Sequence, residues 1–79
     1  MEFEPHVLKK NTQTIANEFG VTHGITYDGV VCLLYRFNFD PTEVVAHIER
    51  AKNGGENPVG KVTKKEQKFI SDQWTEYGL

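Results

Sequence analysis

Residues 25–43 constrain the fold more than any other part of this chain. Asp28-Gly29 is a dipeptide typical of the tight type I′ turn of a β-hairpin, in which glycine accepts positive φ without steric cost. The run at 30–39 is rich in β-branched and aromatic residues and is too irregular for an amphipathic helix. At 40–43 an Asp cap, a Pro and a Glu predict the start of a helix. The sequence therefore predicts a hairpin that leads directly into a helix.

Helical signals elsewhere predict three helices around this hairpin. The first covers about 6–19, and Gly20 is expected just beyond its C-terminus. The second covers 41–52, and a capping box formed by Thr63 and Glu66 opens the third. The strands are predicted at 21–27 and 30–39. The residues expected to face the core are Leu8, Thr12, Ile15, Phe19, Val31, Leu33, Tyr35, Phe37, Phe39, Val44, Val45, Ile48, Ala51, Phe69, Ile70, Trp74 and Tyr77.

These elements predict a small single α+β domain that spans residues 1–79. The order is α-β-β-α-α, with an antiparallel hairpin packed against the helices and a loop at 53–62. Two strands alone form a marginal sheet. Either a short third strand at 59–62 completes it, or a partner or a second copy of the chain pairs with its edge. We therefore expect an exposed edge and a possible homodimer through the strand at 30–39.

Length and composition indicate a globular protein with a thin core. A chain of 79 residues, 38% of them hydrophobic, has enough apolar side chains for one core. It buries only about 60% of its unfolded surface or slightly more. Cys32 is the single cysteine, which excludes an internal disulfide and suggests a buried, reduced thiol. Neither a signal peptide nor a membrane-spanning apolar stretch is visible, so we expect a cytoplasmic protein.

Charge is distributed unevenly along the chain, although the net charge is only −2. Residues 1–49 carry three basic and seven acidic side chains, whereas 50–68 carry six basic and two acidic ones. Such clustered basic residues can neutralise phosphates, so this segment could contact nucleic acid. Only two of the six basic residues flank the second helix, the others are lysines on a loop and a capped helix, and a solvated surface is the more common explanation. Nucleic-acid binding through 50–68 is the alternative function.

Residues 55–63 nearly match a phosphate-binding Walker A loop. Gly55, Gly60 and Lys61 have the required spacing. Val62 occupies the position at which a hydroxyl should bind Mg²⁺, and a helix rather than a strand precedes the segment. An ordinary loop is therefore the favoured interpretation, with some anion affinity at the start of the third helix.

Residues 14–22 resemble the first half of a helix-turn-helix motif. Ala16 and Gly20 have the four-residue spacing found there. The recognition helix would then contain the Asp28-Gly29 turn signal and few basic residues. A helix followed by a hairpin is the favoured interpretation.

The sequence contains no catalytic or metal-binding signature. The three histidines, at positions 6, 23 and 47, have no metal-ligand spacing with one another or with Cys32. A predicted hairpin would bring His23 and Cys32 onto one face, which leaves a thiol–imidazole nucleophile conceivable. Trp74 and Tyr77 lie one helical turn apart, and core packing is favoured over a surface hot spot. We expect no cofactor and no catalytic site.

These observations predict a non-enzymatic protein-binding module that regulates or inhibits a larger protein or enzyme. Small acidic domains of this kind are similar in type to such regulators, including phage proteins directed against host systems. The acidic first half of the chain would complement a basic surface on the partner. The residues expected to contact a partner are Tyr35, Arg36, Arg50, Lys61, Lys64, Lys65 and Lys68.

Overall fold

The computed structural model describes residues 4–78, and these residues form four α-helices without a strand. The helices are α1 (Pro5–His23), α2 (Tyr27–Arg36), α3 (Pro41–Asn53) and α4 (Lys64–Tyr77). The predicted α+β class is therefore wrong. The hairpin strands at 21–27 and 30–39 are helical for most of their length, and 59–62 belongs to the loop between α3 and α4.

The Asp28-Gly29 dipeptide lies in the first turn of α2 rather than in a hairpin turn. The hydroxyl oxygen of Thr26 accepts a hydrogen bond from the backbone N–H of Gly29 at 3.0 Å, which caps the helix. Asp28 adds a negative charge at the positive end of the helix dipole. A Cβ atom on Gly29 would lie 3.0 Å from Cγ2 of Val59. The glycine therefore allows close packing against a loop.

The apolar run that was predicted as a strand forms the centre of the core. All residues from Val30 to Leu34 are buried, and α1, α3 and α4 each pack against α2. The run from Val30 to Leu34 is short and continuously apolar, and such a run does not by itself distinguish a buried strand from a buried helix. The expected homodimer through 30–39 loses its basis, because the edge strand it requires is absent.

The first helix extends four residues beyond its predicted end. It continues through Gly20, where a Cβ atom would lie 3.3 Å from the carbonyl oxygen of Ile25. The helix instead ends at Gly24, whose φ of 66° lies in the left-handed region. Its predicted buried face of Leu8, Thr12, Ile15 and Phe19 is confirmed.

Both predicted helix caps are confirmed. The carboxylate of Asp40 accepts hydrogen bonds from the backbone N–H groups of Thr42 and Glu43 and starts α3. Thr63 and Glu66 form the reciprocal capping box that starts α4. The main core cluster consists of Leu8, Ile15, Phe19, Ile25, Val30, Leu33, Leu34, Val44 and Ile48. Among residues 4–78, no helix is both long and apolar enough to cross a membrane.

We predict that Gly24→Ala lowers the free energy of unfolding by about 1 kcal/mol, because the left-handed conformation places an L-residue's Cβ too close to the following carbonyl. Apart from residue 24 itself and its two chain neighbours, no atom lies within 4 Å of the added Cβ, so any loss reports backbone strain alone. Gly24→Asn should cost less, since Asn tolerates this conformation. Urea denaturation of both variants measures the difference. Equal stability of Gly24→Ala and the wild type would contradict the assigned helix end.

Candidate partner-binding groove

Tyr35 stabilises the fold instead of presenting a free aromatic ring to a partner. Its ring stacks on that of Phe69 with centroids 4.4 Å apart, and the ring of Phe39 lies beside both. Phe39 has a φ of 62°, which is uncommon for an aromatic residue. Its N–H donates to the carbonyl oxygen of Leu34 at 2.6 Å. This aromatic cluster fixes the turn between α2 and α3.

Arg36, the second candidate from the sequence, forms an ion pair with Glu66. Its Nε and Nη2 donate to the two carboxylate oxygens at 2.7 and 3.1 Å. Glu66 is buried, and its pKa falls from 4.5 to about 2, chiefly because Arg36 donates hydrogen bonds to the carboxylate and secondarily because the N–H of Thr63 does so. The carboxylate of Glu66 therefore couples α2 to the start of α4.

The remaining candidates from the sequence are solvent-exposed. Arg50 lies on α3, Lys61 lies in the loop that precedes α4, and three lysines lie on the first two turns of α4. Of these three, Lys68 pairs with Asp72 at 3.0 Å, and the other two are Lys64 and Lys65. The structure keeps these basic side chains at the surface, and none of them lines the two depressions described below.

The loop between α3 and α4, residues 54–63, is held in place by side chains from two helices and from the loop itself. Arg36 donates through Nη1 to the carbonyl oxygen of Val59 at 2.9 Å, and Nε2 of His47 lies 2.6 Å from the carbonyl oxygen of Pro58. The side-chain oxygen of Asn57 accepts hydrogen bonds from the N–H groups of Val59 and Gly60. These two N–H groups are thus already engaged, which weakens the phosphate-loop interpretation of 55–63.

Cys32 is a poor candidate for a nucleophile. It is fully buried in α2, and burial raises the pKa of its thiol above the ordinary value. Its Sγ lies 3.5 Å from Nη2 of Arg36. His23 packs its ring against Phe19 instead. Within residues 4–78, no three His, Cys, Asp or Glu side chains are grouped so that they could hold a metal ion.

A cavity of about 570 Å³ lies between the end of α1, the N-terminus of α2 and the loop at 54–63. We call it the loop cavity. The residues that line it are His23, Gly24, Ile25, Thr26, Asp28, Gly29, Gly55, Glu56, Asn57, Pro58, Val59, Gly60, Val62 and Ile70. No lysine or arginine lines this cavity.

A more open groove of about 460 Å³ adjoins the loop cavity along one side of α4. We call it the Trp74 groove. Its lining residues are Asp28, Val62, Gln67, Ile70, Ser71, Trp74 and Thr75. Three of them, Asp28, Val62 and Ile70, also line the loop cavity, so the two depressions are direct neighbours.

Trp74 is half-exposed but firmly positioned. Its side chain was predicted to face the core, yet the residue retains 44% of its accessible surface. The indole N–H donates to the Asp28 carboxylate at 2.7 Å, and the ring lies 5.5 Å from that of Tyr27. Gln73, the preceding residue, is buried in its place. The prediction that Trp74 packs in the core is therefore wrong. The alternative, a surface hot spot, requires an exposed aromatic ring, and Trp74 provides one.

The connection between α1 and α2 has the length of a helix-turn-helix turn, three residues that include Gly24. The following helix cannot serve as a recognition helix in this fold, because its central residues, Val30 to Leu34, are completely covered. The resemblance of 14–22 to that motif therefore does not extend to major-groove binding.

The fold and these surfaces define a small four-helix protein with a preformed groove beside an exposed tryptophan. No protein-family model, no curated protein and no solved structure matches the chain.

We predict that Glu66→Gln lowers the free energy of unfolding by about 2 kcal/mol at pH 7, since it leaves the partly buried guanidinium of Arg36 without its counter-charge. The pKa of Glu66 is lowered in the folded state, so the ion pair stabilises the protein above pH 4.5 and progressively less as the pH falls towards 2. The difference between wild type and variant should shrink across that range in urea denaturation.

Asp72→Asn provides the control, because it removes the exposed pair with Lys68 and should change stability by less than about 0.5 kcal/mol. The same acid sensitivity in Glu66→Gln as in the wild type would show that this ion pair does not stabilise the fold.

Proposed function

We propose that this chain is a non-enzymatic protein-binding module, a regulator or inhibitor of a larger protein, and that its partner docks in the Trp74 groove. The observation that carries the proposal is the state of Trp74, which is exposed yet held by Asp28 and Tyr27. Tryptophan is enriched among the residues that dominate binding energy. A ring that is already fixed loses little conformational entropy when a partner covers it.

The surroundings of Trp74 support a protein partner. Val62 and Ile70 are half-buried and supply apolar contact area next to the indole ring. Gln67, Ser71 and Thr75 form a polar edge along the exposed side of α4. An apolar centre with a polar rim is the usual anatomy of a protein–protein interface.

Charge favours a protein over a nucleic acid at this groove. The carboxylate of Asp28 lies against the indole ring of Trp74, where it would repel a phosphate backbone. The four exposed lysines near the start of α4 lie outside the groove lining. The net charge of −2 also gives no overall attraction to nucleic acid.

We predict that Trp74→Ala abolishes capture of the partner, whereas Val21→Ala does not. Tagged wild type and both variants are used as baits in lysate from the source cells, and nuclease-resistant bands are identified by mass spectrometry. Removal of a central aromatic residue typically weakens binding by about 2 kcal/mol or more, roughly thirtyfold. Calorimetry with the purified partner measures this loss.

Val21 is a matched control because it is apolar, 95% exposed and lines neither the groove nor the loop cavity. Circular dichroism must show that both variants retain the helical fold. Undiminished affinity of folded Trp74→Ala for the partner would exclude the groove as the docking site.

The alternative, nucleic-acid binding through 50–68, makes the opposite prediction. In that case Lys64→Glu combined with Lys65→Glu abolishes binding and flattens its salt dependence. Under the protein-binding proposal, the double variant still captures the nuclease-resistant partner. Fluorescence anisotropy with labelled single- and double-stranded oligonucleotides at several salt concentrations measures the nucleic-acid arm.

A further inference from the structure

The loop cavity has the size and the rigidity of a binding site. Its volume of about 570 Å³ is typical of small-ligand pockets, which span roughly 300–1,000 Å³. One wall is the loop at 54–63, which Arg36 and His47 anchor by hydrogen bonds to Val59 and Pro58. The opposite wall is the capped N-terminus of α2. The cavity is therefore formed before any ligand enters it.

The lining of the cavity combines an apolar wall with two carboxylates from separate elements. Ile25, Val59, Val62 and Ile70 supply the apolar contacts, and Asp28 on α2 and Glu56 on the loop supply the negative charges. Neither carboxylate forms an ion pair with another residue among 4–78. No lysine or arginine lines the loop cavity, although His23 does. Lys52 lines a separate, smaller depression that also includes Glu56 and His23.

This combination fits a long side chain that is apolar along its stem and cationic at its tip. Lysine and arginine side chains bury their methylene groups against apolar surface while the charged group stays near polar partners. The cavity lies next to the Trp74 groove and shares the lining residues Asp28, Val62 and Ile70 with it. A partner docked on Trp74 can therefore extend one side chain into the cavity.

We propose that the loop cavity receives a basic side chain, lysine or arginine, from the protein that docks in the Trp74 groove. This inference rests on the proposed function, and it specifies the partner as one that presents a basic residue next to its apolar contact surface.

The test uses n-pentylammonium as a probe for the isolated side chain and 1-pentanol as its neutral counterpart. Each is titrated into the ¹⁵N-labelled full chain at pH 7.5 while amide chemical shifts are recorded. Pentylammonium should shift the amides of Gly24, Gly29, Glu56 and Gly60 in a saturable manner, and pentanol should shift them less. Glu56→Gln should weaken pentylammonium binding by about threefold, because one of two carboxylates is lost.

Glu49→Gln is the matched control, since Glu49 is an exposed carboxylate on α3 that does not line the cavity. It should leave pentylammonium binding unchanged. Equal shifts with the amine and the alcohol, or equal losses in the two variants, would overturn the inference.

The probe experiment and the Trp74→Ala experiment fail independently. If Trp74→Ala loses the partner but pentylammonium does not bind, the docking groove stands. The inference that the loop cavity receives a basic side chain is then rejected. If pentylammonium binds but folded Trp74→Ala still captures the partner, the Trp74 groove is not the docking site. A partner docked in that groove then cannot be the source of the basic side chain.

Discussion

The burial of α2 on all sides is the constraint on which the rest of this structure depends. Its apolar residues from Val30 to Leu34 are covered by the other three helices, so only the ends of α2 reach the surface. Both ends carry charged side chains, Asp28 in the first turn and Arg36 at the last position. Each of these charged side chains forms a hydrogen bond to a residue of α4. Polar contacts as well as apolar packing therefore position α4 against α2.

The two ends of the α2–α4 contact serve different purposes. At one end, Arg36 and the buried Glu66 form an ion pair that also reaches the loop before α4. At the other end, Asp28 binds the indole N–H of Trp74 while much of the ring stays in solvent. The Arg36–Glu66 ion pair stabilises the packing of α4 on α2, and the Asp28–Trp74 hydrogen bond orients an exposed aromatic ring. The proposed docking groove lies at this open end, where the anchored loop at 54–63 adds the adjoining cavity.

The candidate site was only partly predictable from the sequence. The basic side chains on 50–68 are at the surface as expected, but Tyr35 and Arg36 are engaged in stacking and ion pairing within the fold. Trp74 was assigned to the core, because hydrophobicity alone favours burying it. The buried residues of α4 are instead Glu66, which pairs with Arg36, and the polar Gln73. A contact between side chains 30 positions apart leaves no local pattern that sequence reasoning could read.

The sequence by itself determined the features that depend on neighbours a few residues away. The caps at Asp40 and Thr63 and the buried stripe of α1 are of this kind, because hydrogen bonds and periodicity within one or two helical turns produce them. Only the tertiary structure decided that residues 27–36 are helical. Their apolar run satisfies a buried strand and a buried helix equally well, and the choice depends on how many surfaces cover it. The other three helices pack around this run and make it a buried helix in an all-α fold. The same packing leaves the Trp74 groove at the N-terminal end of α2.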